Sequence, residues 1–167
     1  ESSDGLHWKS IKGNYEKGRI MQPTNDNISY DNIQIGVSDV IEKDDKTFIM
    51  HYFGGTEEKL EKFNIGLRMR CLTADSHDGK NWFKYSMPII DVGKKYEWDN
   101  ILTACPRAIP VDPDNLDGKW LITYHSLMFD NYSKPIFKIG AGITNNKYGL
   151  GSVTKKGIIL EPGKKGS

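Results

Sequence analysis

No stretch of this sequence stays apolar for the roughly 20 residues that a membrane-spanning helix needs. Charge of one sign is missing too: 23 Lys and Arg stand against 22 Asp and Glu, a formal net charge of +1. That balance offers no electrostatic footprint to a nucleic acid or an anionic membrane surface. Histidine and cysteine are scarce. The four His are scattered without metal-ligand spacing, so no metal site is expected, and no cofactor is implied by any motif. The two cysteines, Cys71 and Cys105, fall on expected strands of different repeat units. Two buried thiols acting as small core hydrophobes explain them better than a disulfide, which stays open as an alternative. No segment carries a convincing 3.6-residue apolar period, which excludes a helical fold.

What the chain has instead is internal repetition. Ser2-Ser3-Asp4-Gly5-Leu6-His7-Trp8 returns as Ser76-His77-Asp78-Gly79-Lys80-Asn81-Trp82, 74 residues on. Ile20-Met21-Gln22-Pro23 returns as Ile89-Ile90-Asp91 and again as Ile159-Leu160-Glu161-Pro162, at shifts of 69 and 70. Tyr30-Asp31-Asn32 pairs with Trp98-Asp99-Asn100 at a shift of 68. Three markers holding one period near 70 residues define the architecture before any single residue is interpreted.

Within the unit 30–97, Ile33–Ile41 reads as a first strand and Phe48–Phe53, aromatic and β-branched, as a second, ended by Gly54-Gly55. A charged loop holding Glu57, Glu58, Lys59, Glu61 and Lys62 leads to Ile65–Leu72, which alternates with period two and reads as a third strand. The Asp78-Gly79 turn and Trp82 precede a fourth run, Met87–Ile90. Unit 98–167 repeats the plan, with strands expected at Cys105–Ile109, Trp120–His125, Phe137–Ala141 and Gly157–Leu160. Four antiparallel strands per repeat predict an all-β fold of β-propeller blades. Residues 1–29 are expected to be the C-terminal part of a further blade. Counted this way, about two and a half blades of an expected five are present. Since open blades expose apolar edges, the remaining ones are expected from the same chain or from a partner protein.

The Ser-x-Asp-Gly-x-x-Trp motif has a structural explanation. Asp-Gly supplies the positive φ of a tight turn, the Asp side chain bonds its own turn amides, and the Trp fills the wedge between blades. The motif resembles the Asp-box of sialidase propellers, with one residue fewer between Ser and Gly. Thr144-Asn145-Asn146-Lys147-Tyr148 is a degenerate third copy.

This motif, followed by an Asp-bearing strand that opens the next blade, resembles the five-bladed propeller glycosidases: the invertase-like fructofuranosidases and the arabinanase and xylosidase enzymes. In that family, carboxylates on the inner strands of the first three blades face a central pocket. One is nucleophile or base, one stabilises the transition state and one is the general acid. Hydrolysis needs the pair because one protonates the leaving oxygen while the other attacks the sugar or activates water. Val37-Ser38-Asp39-Val40 resembles the second-blade segment, which makes Asp39 the implied stabilising carboxylate. Thr103-Ala104-Cys105-Pro106 resembles the third-blade Glu-Cys-Pro segment, with Ala104 where the acid belongs. An alanine donates no proton.

Asp39 therefore has two readings, a pocket carboxylate contacting a sugar hydroxyl or a carboxylate that bonds local strand amides. Arg107, 68 residues on from Asp39, is a ligand-binding candidate and a candidate ion-pair partner for Asp39 across the axis. His51 and His125 on second strands, and Trp98 before an inner strand, are further ligand-binding candidates; each also fits a packing role. Arg68 and Arg70 share one strand face and should reach solvent or an acidic neighbour. The Lys155-Lys156 and Lys164-Lys165 pairs should be solvated. The expectation is a non-catalytic propeller that serves binding or assembly, with a carbohydrate or a protein as partner. Two alternatives stand beside it: a furanosidase-type glycoside hydrolase whose acid comes from elsewhere, and an accessory subunit of a large, organellar complex.

Overall fold

A computed structural model describes residues 2–58, 66–130 and 134–163. Eight strands form in chain order: β1 (Gln34–Glu42), β2 (Phe48–Glu57), β3 (Leu67–Ser76), β4 (Phe83–Lys84), β5 (Leu102–Pro110), β6 (Trp120–Phe129), β7 (Pro135–Thr144) and β8 (Thr154–Leu160). β1 to β4 pair consecutively and antiparallel, as do β5 to β8. A single parallel pair, Met69 with Leu102, joins the two meanders. The fold is all-β, an open array of two four-stranded propeller blades. Residues 2–29 form no strand; they hold a 3-10 turn at Glu16–Gly18 and pack Met21 against the first blade.

Burial explains why the middle strands read as nearly continuous apolar runs. Ile49 and Cys71 on one face of the first blade join Ala108, Trp120, Ile122 and Tyr124 of the second in one core. Met50, Tyr52, Leu72 and Ala74 on the opposite face pack with Met21 and the half-buried Trp82. A strand covered on both faces has no solvent side on which to alternate.

Each blade is pinned by the same three residues. Asp31, buried, accepts a hydrogen bond from Tyr52 Oη at 3.2 Å and an ion pair from Lys84 Nζ at 2.6 Å. Asp99 accepts the equivalent bonds from Tyr124 Oη at 3.2 Å and Lys155 Nζ at 2.6 Å. Burial, and then the adjacent carboxylate charge, push both tyrosine hydroxyls far above the usual phenol range, so both stay donors. Lys155 is thus not a solvated loop residue: it lies on β8 and reaches inward to a carboxylate that is 1% exposed. Lys164 and Lys165 lie outside the described residues.

Several other expectations change. Gly54-Gly55 does not end β2, which continues to Glu57. A Cβ on Gly54 would run into Asp31 Cβ and Leu72 Cδ1, so glycine marks a close approach inside the strand rather than a stop. The fourth strand of the first blade is Phe83–Lys84, earlier than Met87–Ile90, and Ile90 joins the sheet only as a bridge to Cys71. The turn motif forms as expected in both complete copies. Ser76 Oγ accepts from the Gly79 N–H, Asp78 Oδ1 from the Lys80 and Asn81 N–H groups, and Trp82 Nε1 donates to the Gly79 carbonyl. Ser2, Asp4 and Trp8 repeat that frame. Trp8 fills no wedge, however; it is 73% exposed, with no apolar surface packed over it among the described residues. The cysteines are both free thiols.

Candidate functional site

The first strand of each blade carries a β-bulge at the same place. In β1 the register slips between Val37 and Asp39, leaving Ser38 as the extra residue. In β5 it slips between Ala104 and Arg107, leaving Cys105 and Pro106. Pro106 lacks the N–H that a regular ladder would use, and Cys105 adopts φ +52°, a left-handed conformation uncommon for a residue with a side chain. Bulges re-aim the side chains that follow them, and they concentrate beside binding sites. Asp39 and Arg107 are the residues that follow.

The register makes those two positions equivalent. Asp39 pairs with His51, and Arg107 with Thr123. His51 and Thr123 each precede the tyrosine of the blade-pinning trio, Tyr52 or Tyr124. Asp39 is half-buried and Arg107 exposed. No ion pair between them occurs among the described residues. The cross-axis pairing allowed for by the sequence is therefore not formed.

His51 is fully buried and donates from Nε2 to the Tyr148 carbonyl at 2.9 Å. A carbonyl can only accept, so that bond fixes the proton on Nε2 and leaves Nδ1 a bare acceptor. Nδ1 is buried and has no partner among the described residues. Burial holds the imidazole below its ordinary value, outweighing the Tyr148 bond and the Asp39 charge that act the other way. His51 is thus a neutral, inward-facing group that backs Asp39. His125 is exposed and pairs with Ala104. Ala104 itself is 5% exposed, and β5 carries no acidic residue from Leu102 to Pro110.

Trp98 stands apart from this group. Its indole stacks on Tyr124 at 5.7 Å between centroids and lies over Gly140, where a Cβ would collide with the ring. The structure thus brings Asp39 together with His51 and Ala104 with His125, and sets Trp98 within the second blade. Arg68 and Arg70 meet acidic neighbours: Arg68 pairs with Glu58 at 3.2 Å, and Arg70 with Glu58 at 2.6 Å and Asp91 at 2.7 Å.

Ser38 was not singled out from the sequence, and Cys105 was expected only as a small buried core hydrophobe, whereas it is half-buried at the bulge. The Ser38 hydroxyl is buried and has no hydrogen-bond partner among the described residues. Its proximity draws the Cys105 thiol downward, but burial prevails and the net shift is upward, so Cys105 is a protonated thiol at neutral pH. Pro106 was the available signal, because proline inside a strand marks an edge or a bulge.

Comparison with solved structures finds glycoside hydrolases of propeller type. A family 117 glycoside hydrolase of the marine bacterium Zobellia galactanivorans matches with TM-score 0.64 and 16% identity, over 96% of this chain and 46% of that one. The likeness is one of fold. A glycosyl hydrolase of Bacteroides ovatus matches with TM-score 0.56 and 14% identity over 84% of this chain and 39% of that one. A family 32 β-fructofuranosidase of Bombyx mori matches with TM-score 0.53 and 17% identity, over 77% and 23% respectively. The chain thus spans less than half the length of each. No family model and no curated protein matches.

Proposed function

We propose that this chain is a propeller segment that binds carbohydrate at its inner strands without cleaving it. The observation that carries the reading is the pair of aligned bulges: one presents a carboxylate, Asp39, and the other an arginine, Arg107, while the acid position of the resembled enzymes is a buried alanine. A carboxylate accepts from sugar hydroxyls and a guanidinium donates to them, so the two complement a polyol. Neither His51 nor His125 replaces the acid. His51 is buried and neutral, and its one proton is engaged by the Tyr148 carbonyl. The remaining blades come from the same polypeptide or from a partner protein.

The glycosidase fold of the three structural neighbours favours a second reading, in which a further blade supplies the missing acid. Both readings meet one experiment. Neutral oligosaccharides containing furanose or pyranose units are incubated with the protein, and products and binding are followed by chromatography and calorimetry. Binding without product, weakened about tenfold by Asp39→Asn, is the expected result; tenfold corresponds to about 1.4 kcal/mol. Sugar release that Asp39→Asn abolishes would establish the hydrolase reading instead.

A further inference from the structure

We infer that the rim of the first blade holds a second, separate binding site, for a neutral saccharide. A cavity of about 370 Å³ lies between the segment 14–25 and the motif turn with its following strand, 81–84. That size is within the range of small-molecule sites. It arises where the chain departs from its own repeat. In the second blade, Val153 N–H bonds the Ile89 carbonyl. The equivalent bond, from Trp82 N–H to the Ile20 carbonyl, is absent among the described residues. The neighbouring bonds are nevertheless kept: Thr24 N–H reaches the Asp31 carbonyl as Gly93 N–H reaches that of Asp99.

The opening is built, not frayed. Asn14 Nδ2 donates to the Lys80 carbonyl at 3.0 Å and to Asn81 Oδ1 at 2.6 Å, fixing one wall to the motif turn. The Glu16–Gly18 turn is closed by the Tyr15 N–H on the Arg19 carbonyl. The single charge in the lining, Lys84, is neutralised by buried Asp31. What remains is a neutral surface of aromatic rings, Tyr15, Trp82 and Phe83, with aliphatic Ile20 and Met21 and side-chain amides. Those of Gln22 and Asn25 make no hydrogen bond among the described residues. Flat apolar rings beside uncommitted amides match a sugar, whose C–H face stacks while its hydroxyls both donate and accept.

The test is amide-resolved NMR of the full chain titrated with 1-kestose, arabinotriose and cellotriose. The site predicts shifts within 13–25 and 81–84 for at least one sugar. Asp39→Asn should leave those shifts unchanged, while Gln22→Ala and Asn25→Ala should each weaken them about fivefold, the loss of one hydrogen bond. Tyr15→Ala, an exposed side chain, gives an independent check on stacking. Shifts confined to 36–41 and 103–108, or no shifts with any of the three sugars, would overturn the inference while leaving the inner-strand reading to stand or fall by its own variant.

Discussion

Replacing Asp99 by alanine removes the acceptor on which both Tyr124 and Lys155 converge. The Tyr124 side chain is fully buried, so its hydroxyl loses an acceptor with no water to replace it, a cost of about 1–3 kcal/mol. Lys155 is 32% exposed. Its ammonium turns to solvent, and the lost ion pair adds only about 1 kcal/mol once screening is allowed for. Asp99→Ala should therefore cost about 2–4 kcal/mol, read from urea unfolding by linear extrapolation. Tyr124→Phe should cost about 1 kcal/mol. Lys155→Met should cost about 3 kcal/mol, because it leaves a buried carboxylate with one hydroxyl for company. Asp31→Ala, which breaks bonds of the same lengths in the first blade, should match Asp99→Ala within about 1 kcal/mol. An Asp99→Ala cost below about 1 kcal/mol would refute the view that this trio pins the blade.

Three further outcomes follow from the packing. Gly54→Ala should destabilise by about 1–3 kcal/mol in thermal or urea unfolding, since the new methyl meets Asp31 and Leu72. His51 is held below its ordinary value when folded, so the unfolded chain takes up the proton first. The stability it supports is complete above pH ~6.5 and falls as the pH drops toward the folded value; His51→Gln should flatten that slope between urea curves recorded at several pH values. Asp78→Ala should lower the melting temperature more than Asp4→Ala, as the first turn seats a half-buried Trp82 and the second an exposed Trp8.

The period of about 70 residues, the four strands per unit and the motif turns were legible because each rests on local chemistry: alternation, Asp-Gly and Trp. Asp31 and Asp99 were visible as repeat markers. Their tyrosine and lysine partners were not, because those bonds span 21 to 56 residues and an isolated Lys155 looks like any surface lysine. Gly54-Gly55 misled for a related reason: glycine marks both stops and close approaches, and only the neighbouring Asp31 decides between them. In the candidate site, Asp39 and Ala104 were found through the resemblance to the propeller glycosidases, Arg107 by its repeat shift from Asp39, and His51 by its place on a second strand. The bulges that aim them, and the exposed or buried state of each histidine, depend on pairing across strands, which no local pattern encodes.

The two bulges bear on how the first strands stay in place. β1 and β5 expose Val37, Val40 and Ile109, so burial alone distinguishes weakly between one alignment and its neighbour. A shift by a single residue would exchange their inward and outward faces. A surplus residue on one strand can be accommodated at only one point along its partner, as a key fits one notch. With Cys105 twisted left-handed and Pro106 behind it, β5 is keyed against β6, and sliding is barred by backbone shape where greasy contact alone would permit it.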